Sequence, residues 1–218
     1  MSDFLFSIQQ FLDPETILSQ GGFYIVCLIV FLETGVFFAF FLPGDYLLFL
    51  AGMFCASGRI DVSITTMFLG IFISGILGNG VGYITGRRAG PMLFKKKDSF
   101  LFKRKYVIMA EEFFHKYGGP ALIISRFVPI IRTFAPIFAG IVHLDLRKYI
   151  SFNILGALIW VCTMTLSGYF LQLKFPALDD YIEYIIIGMI ALTSMPLIFA
   201  VLKKWRESKN NKKELNNK

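Results

Sequence analysis

The chain has 218 residues, of which 56% are hydrophobic and only 17% charged, with 25 phenylalanines and a mean hydropathy of +0.63. A soluble domain runs near 45–50% apolar and about 25% charged, so this composition excludes a soluble globular enzyme, a disordered chain and a secreted disulfide scaffold, and leaves a multi-spanning membrane protein. The net charge of +7 does not signal nucleic acid, because the cations fall in two short blocks between apolar runs, the pattern of loops held on the cytoplasmic side of a membrane.

In chain order, Phe4, Ile8, Phe11 and Leu12 share one helical face ahead of Pro14, which predicts an interfacial amphipathic helix over 1–14. Residues 1–58 hold no Lys or Arg, so the basic region of a signal peptide is missing. A spanning helix needs about 20 apolar residues. The uncharged runs 16–32, 62–86, 149–173 and 184–202 predict transmembrane helices within a single domain over 15–202. Two further apolar stretches are broken. Residues 34–58 are interrupted by Pro43-Gly44-Asp45, and residues 120–142 hold Arg126, Pro129, Arg132 and Pro136. Proline removes a backbone donor, and charge is costly in hydrocarbon. A second interfacial face is predicted from Phe102, Tyr106, Met109, Phe113 and Tyr117, and 203–218 reads as a basic, disordered cytoplasmic tail.

The basic loop 87–117 and the basic tail set the orientation, both facing the cytoplasm. Counting helices from these points, 34–58 begins and ends outside, whereas 120–142 begins and ends inside. Each is read as a re-entrant hairpin, at about 33–58 and 119–142, since irregular backbone at membrane depth is tolerated only where protein or a wet cavity covers it. A shift of 86 residues places Phe41, Pro43, Ile64, Leu69, Gly70, Ile73, Gly82 and Tyr83 on Phe127, Pro129, Ile150, Leu155, Gly156, Ile159, Gly168 and Tyr169. The expected fold class is an all-α membrane protein, polytopic helices with two opposed re-entrant hairpins in an inverted repeat, which is a transporter architecture.

Four ionisable residues lie in or beside the broken stretches: Glu33, Asp45, Arg126 and Arg132. If the hairpins meet, the charges offset one another, and a buried ion-pair cluster that merely holds the hairpins together is one reading. The other uses the arginines, because a guanidinium grips phosphate or carboxylate with two parallel hydrogen bonds and keeps its charge. Helices restarting after Pro43 and Pro129 aim their N-termini at the membrane centre. Two such ends with Arg126 and Arg132 form an anion site, beside which Glu33 and Asp45 lend protons. Pro43, Gly44, Pro129 and Pro136 shape the hairpins. Gly70, Ser74, Gly78, Gly82, Gly86 and Gly90 recur every four residues, and Gly78, Gly82 and Gly86 in particular allow close helix packing, within the chain or in a homo-oligomer. GNGVGYITG follows no strand and is no nucleotide loop. Asn79 and Asn153 are read as interhelical hydrogen-bond partners. Cys27, Cys55 and Cys162, with His115 and His143, give neither a disulfide framework nor a metal pattern. SRFVPIIRT is similar to half of a lipid-phosphatase signature but lacks its histidine, so no enzyme, cofactor or metal is expected.

ETGVFFAFFLPGDYLLFLAG at 33–52 and SRFVPIIRTFAPIFAG at 125–140 resemble the two signatures of the DedA family, also called SNARE-associated or VTT-domain proteins. The stretch from Asn153 through Gly156, Ala157 and Trp160 to Gly168-Tyr169 resembles the region that follows, so the likeness covers roughly 33–170. The resemblance implies two opposed re-entrant hairpins. Bacterial members are linked to moving undecaprenyl phosphate back across the cytoplasmic membrane and depend on the proton motive force, whereas eukaryotic relatives scramble phospholipids. The family's essential acids fall on Glu33 and Asp45, and its essential arginines on Arg126 and Arg132. Ser125 stands where a glycine is usual, and the usual glycine after Gly168-Tyr169 is missing, but neither departure removes a charge. The expectation is a proton-coupled flippase of polyprenyl phosphate in carrier-lipid recycling, multi-pass in the cytoplasmic membrane with its C-terminus inside. Its partners would be that lipid or a phospholipid, protons and membrane lipids. A phospholipid scramblase, a proton-coupled small-solute transporter and a structural scaffold are the alternatives.

Overall fold

The computed structural model describes residues 22–36, 44–95, 112–114, 116–182, 184–185 and 187–188, and all regular structure among them is helical. The chain divides into units Met1–Pro176 and Ala177–Lys218. In the first lie α1 (Gly22–Gly35), α2 (Gly44–Ser57), α3 (Ile64–Lys95), α4 (Pro120–Ser125), α5 (Pro129–Ile141), α6 (Leu146–Val161) and α7 (Ser167–Lys174). A π-helical turn, Cys162–Leu166, joins α6 to α7. The described residues of the second unit are the end of a 3-10 turn, Pro176–Tyr181, and helical residues at 182, 184–185 and 187–188.

Among the described residues, Ile64–Arg88 and Leu146–Lys174 are long and apolar enough to cross a membrane. Their faces are sorted for lipid. On α3, Leu69, Ile73, Leu77, Val81 and Ile84 form an exposed stripe at helical spacing, while Met67, Ile71, Gly78, Asn79, Gly82 and Tyr83 are buried. On α6, Ile150, Ile154, Leu155, Leu158 and Ile159 point out, while Tyr149, Asn153, Gly156, Ala157 and Trp160 point in. Branched aliphatics outside and small or polar residues inside suit a hydrocarbon solvent, where helices gain from close packing rather than from hiding leucines.

The helix ends follow local chemistry. α6 starts at Asp145, whose carboxylate accepts the Lys148 backbone N–H at 3.0 Å. α4 and α5 each start on a proline, whose preset φ suits the first helical position. Between them Val128 is extended (φ −114, ψ 107), as a residue before proline prefers. α5 ends with His143 in the left-handed region (φ 54), and its chain reversal is closed by Leu144 N–H donating to the Ala139 carbonyl at 2.9 Å.

Several boundaries differ from the hydropathy reading. α3 runs through Arg87 and Arg88 to Lys95, so the basic loop expected from 87 begins as helix. Arg and Lys are good helix formers, and leaving hydrocarbon does not end the hydrogen-bond ladder. α1 runs through Glu33 to Gly35 because that charge is paired rather than solvated. The predicted helix 1–14, residues 102–111 of the second interfacial segment, Pro43, most of 184–202 and the tail lie outside the described residues.

α3 packs on α1 and on α5, and α2 packs on α7. Glycines set these crossings. A Cβ on Gly35 would sit 2.9 Å from the Gly78 carbonyl oxygen, and one on Gly82 would sit 3.5 Å from the Pro136 ring. One on Gly86 would overlap the Ile137 carbonyl, and one on Gly168 the Phe49 carbonyl. Gly78, Gly82 and Gly86 are thus used inside the chain, on α1 and α5. One apolar core gathers Tyr83, Phe114, Ala121, Leu122, Ala135, Ala139 and Tyr149. Within it Tyr83 and Tyr149 stack at 4.1 Å, and the Tyr83 hydroxyl donates to the Leu144 carbonyl at 2.6 Å while accepting from Arg87 at 3.1 Å.

Candidate functional site

Three of the four predicted charges meet where α1, α2 and α5 converge. Glu33 lies in the last turn of α1, where the helix dipole disfavours an acid. The opposing helix supplies the compensation: its carboxylate lies against Gly44, the first residue of α2, and a Cβ there would overlap it. Asp45 stands in the first turn of α2, where the dipole favours it. Arg132, in the first turn of α5, spans both acids, Nη2 on Glu33 Oε1 and Nη1 on Asp45 Oδ1. Glu33 is 1% and Arg132 5% exposed, while Asp45 keeps 15% of its side-chain surface accessible, so the cluster is buried but open at Asp45. Pro136, one turn on, lacks the N–H that would otherwise bond the Arg132 carbonyl.

Arg126 has a different environment. It ends α4, and its side chain runs over Gly156, where a Cβ would sit 3.2 Å from Cδ and Nε. Nη2 donates to Asn153 Oδ1 at 2.6 Å and to the Asn153 carbonyl at 3.3 Å, while Asn153 Nδ2 donates to the Ile76 carbonyl at 3.2 Å. With its oxygen turned to Arg126, the Asn79 amide accepts from Nη2 at 2.7 Å and donates to the Thr34 carbonyl at 3.3 Å. Among the described residues Arg126 has no carboxylate partner, although it is only 3% exposed. The Nε groups of Arg126 and Arg132, and Glu33 Oε2, likewise have no hydrogen-bond partner among the described residues.

Trp160 stands between the two arginines. Its ring centroid is 5.7 Å from Arg126 Cζ and 5.4 Å from Arg132 Cζ, and its Nε1–H donates to Asp45 Oδ1 at 2.9 Å. Sequence reading quoted Trp160 without giving it a role. Its signal was periodicity, because Asn153, Gly156, Ala157 and Trp160 follow the helical repeat and form the buried face of α6. Interhelical hydrogen bonds were expected of Asn79 and of Asn153; both make them, and both also face Arg126. Pro129 opens α5, while Pro43 lies outside the described residues. Among the described residues no cluster of His, Cys, Asp or Glu could hold a metal, and the three cysteines are free and half-buried.

The formal charges of Glu33, Asp45, Arg126 and Arg132 sum to zero. Buried charges persist only when compensated, and this cluster is compensated as a set although one arginine lacks an adjacent acid. Such a site can take up an anion if its carboxylates take up protons.

The VTT domain family matches residues 42–170, from the start of α2 to α7. Protein DedA of Escherichia coli is 38% identical over 182 residues, covering 84% of this chain and 83% of that protein. An uncharacterised membrane protein of Mycobacterium leprae is 36% identical over 211 residues (94% and 93%), and the inner membrane protein YqjA of E. coli 32% over 194 (87% of each). No solved structure matches the chain. With its lipid-sorted helices and a family match that encloses Asp45, Arg126, Arg132 and Trp160, the chain belongs to the DedA, or VTT-domain, family of membrane proteins.

Proposed function

We propose that this protein is a DedA-type lipid translocase that flips undecaprenyl (polyprenyl) phosphate across the cytoplasmic membrane in exchange with protonation of its own carboxylates. It thereby returns carrier lipid for cell-envelope synthesis. The observation that carries this reading is the unequal state of the two buried arginines: Arg132 is held by Glu33 and Asp45, whereas among the described residues Arg126 has only neutral hydrogen-bond partners. A phosphate head group docks on Arg126. It then competes for Arg132, and Glu33 and Asp45 let go as each takes a proton. The head group crosses unchanged, with no bond broken, while its polyprenyl tail stays in lipid beside the exposed aliphatic stripes of α3 and α6.

The same reading takes the broken segments as opposed re-entrant hairpins of an inverted repeat, with the C-terminus cytoplasmic. Two features support it. The 86-residue shift lays α2 on α5, and α3 on the α6–α7 rod. The packing is crossed in the same sense, α3 on α5 and α2 on α7, and the repeat mates Gly82 and Gly168 each face the other repeat's short helix, at Pro136 and at Phe49.

The test is transport in proteoliposomes, comparing a polyprenyl phosphate with ordinary phospholipids, with and without a pH gradient, for wild type, Arg126→Lys and Arg132→Lys. Lysine keeps the charge but cannot bridge two oxygens with a planar fork. Selective, gradient-sensitive movement of the polyprenyl phosphate, lost in both variants, is the expected result. Equal movement of all lipids without regard to the gradient would make the protein a scramblase.

A further inference from the structure

We propose that Trp160 is a positioning residue that makes the protonation of Asp45 felt at Arg126. The inference rests on the translocase reading, since it supplies the link between proton and anion that the reading requires. Asp45 and Arg126 have no direct bond, and Trp160 touches both. Its indole N–H donates to Asp45 Oδ1 at 2.9 Å, and its ring lies within cation–π range of both guanidinium groups.

A tryptophan serving only as apolar filling would have its N–H on a backbone carbonyl or at a wet edge. Here the ring is 1% exposed and the N–H is spent on a carboxylate that also binds Arg132. Gly75 of α3 faces both groups: a Cβ there would lie in ordinary contact, 3.5 Å from the ring and 3.7 Å from Arg126 Nη1. The charged groups converging on the indole are Asp45 on α2, Arg132 on α5 with its second acid Glu33 on α1, and Arg126 at the end of α4. From α3 the neutral amide of Asn79 meets Arg126 rather than the indole, and its backbone carbonyl accepts the Tyr149 hydroxyl at 2.7 Å.

Donation to an anion enriches the indole ring, and an enriched ring attracts cations more strongly. When a proton from water arrives on Asp45, the acceptor weakens from carboxylate to carboxyl, and so does the ring's hold on Arg126. The guanidinium is then freer to close on a phosphate. The coupling is reciprocal, as linkage demands: phosphate on Arg126 must favour the proton on Asp45 by the same factor.

The chain has two tryptophans, so Trp205→Phe leaves Trp160 as the sole indole. In detergent micelles, its emission is followed during acidification and during titration with farnesyl monophosphate, in the Trp205→Phe background alone and with Asp45→Asn. Acid should shift the emission, and Asp45→Asn should abolish that shift. Trp160→Phe, which keeps a ring but loses the donor, should bind farnesyl monophosphate with a flattened pH dependence. An acid response that survives Asp45→Asn, or a Trp160→Phe pH profile identical to wild type, overturns the proposal. Should Trp160→Phe fail to fold, the emission titration decides alone. Failure of wild type to bind farnesyl monophosphate at any pH overturns the translocase reading and this coupling with it. Binding that is intact but leaves Trp160 emission unmoved overturns only the coupling.

Discussion

Arg132 cannot hold two carboxylates and grip a phosphate at the same time, and on the proposed translocase reading this exclusion is the chemical core of the site. It also decides which substitutions are informative. Arg132→Ala leaves Glu33 and Asp45 buried without their partner, and removing one member of a buried pair costs about 3–5 kcal/mol. The variant should therefore lose stability as well as transport. Adding Glu33→Gln and Asp45→Asn to it removes the stranded charges, so most of the thermal stability should return while transport stays lost. Melting curves in detergent beside flux in proteoliposomes separate the two effects. A triple variant no more stable than Arg132→Ala would mean that the acids are not what the arginine stabilises. Gly44 is the second informative residue. Any Cβ there overlaps the Glu33 carboxylate, and forced overpacking costs about 1–3 kcal/mol. Gly44→Ala should push Glu33 off Arg132 and lower transport more than the mild change in volume suggests, which the same two assays read. All four charges stand out in the sequence, because charge in an apolar run is visible without coordinates. The sequence could not tell Arg126 from Arg132, because what distinguishes them is the acids on α1 and α2 that reach only one of the pair.

At the level of elements, the glycines show what a pattern discloses and what it withholds. A four-residue repeat of small side chains announces close packing, but not with which helix. In the structure, Gly78 meets α1 whereas Gly82 and Gly86 meet α5, so one face of α3 serves two partners. The break was legible too, since Pro129 and the pre-proline Val128 dictate the α4–α5 junction, whereas Pro136, also expected to shape the hairpin, lies inside an unbroken α5. The π turn at Cys162–Leu166 was not legible, because CTMTL holds no breaker, and the irregularity belongs to the tight contact of Gly52 with the Thr165 carbonyl. These contacts predict a graded series. Gly86→Val and Gly168→Val drive a side chain onto a backbone carbonyl that cannot swing aside, and each should cost about 1–3 kcal/mol. Gly80, one residue from the site residue Asn79, has open space around its Cβ position, so Gly80→Ala should be neutral or stabilise the helix by roughly 0.5–1 kcal/mol. Thermal unfolding of the three variants checks the order. A loss at Gly80→Ala equal to those at Gly86→Val and Gly168→Val would mean that open space at a glycine's Cβ position does not predict tolerance.

For the molecule as a whole, the decisive quantity is the charge carried per cycle. The empty site holds two carboxylates and two guanidiniums and is formally neutral. A phosphate monoester, dianionic or singly charged, brings its own negative charge into a site that has only protons with which to balance it. Neutrality at membrane depth is favoured strongly, because an uncompensated charge there costs several kcal/mol. The loaded site should therefore bind as many protons on Glu33 and Asp45 as the head group brings negative charges, up to two. Lipid and protons then cross together with no net charge. A pH gradient, acidic on the side from which the lipid departs, should speed transport, whereas a membrane potential imposed at equal pH should leave it nearly unchanged. Asp45→Asn removes one negative charge from the empty site and one proton acceptor from the loaded one. A dianion would then travel with a single proton, and the loaded and empty forms would differ by one charge. Transport by that variant should gain a dependence on membrane potential that the wild type lacks. Flux measured in proteoliposomes with a potassium diffusion potential, with and without a pH difference, reads both effects. A wild type that follows potential as strongly as it follows pH would sink the neutral exchange, and with it the assignment of Glu33 and Asp45 as the proton carriers.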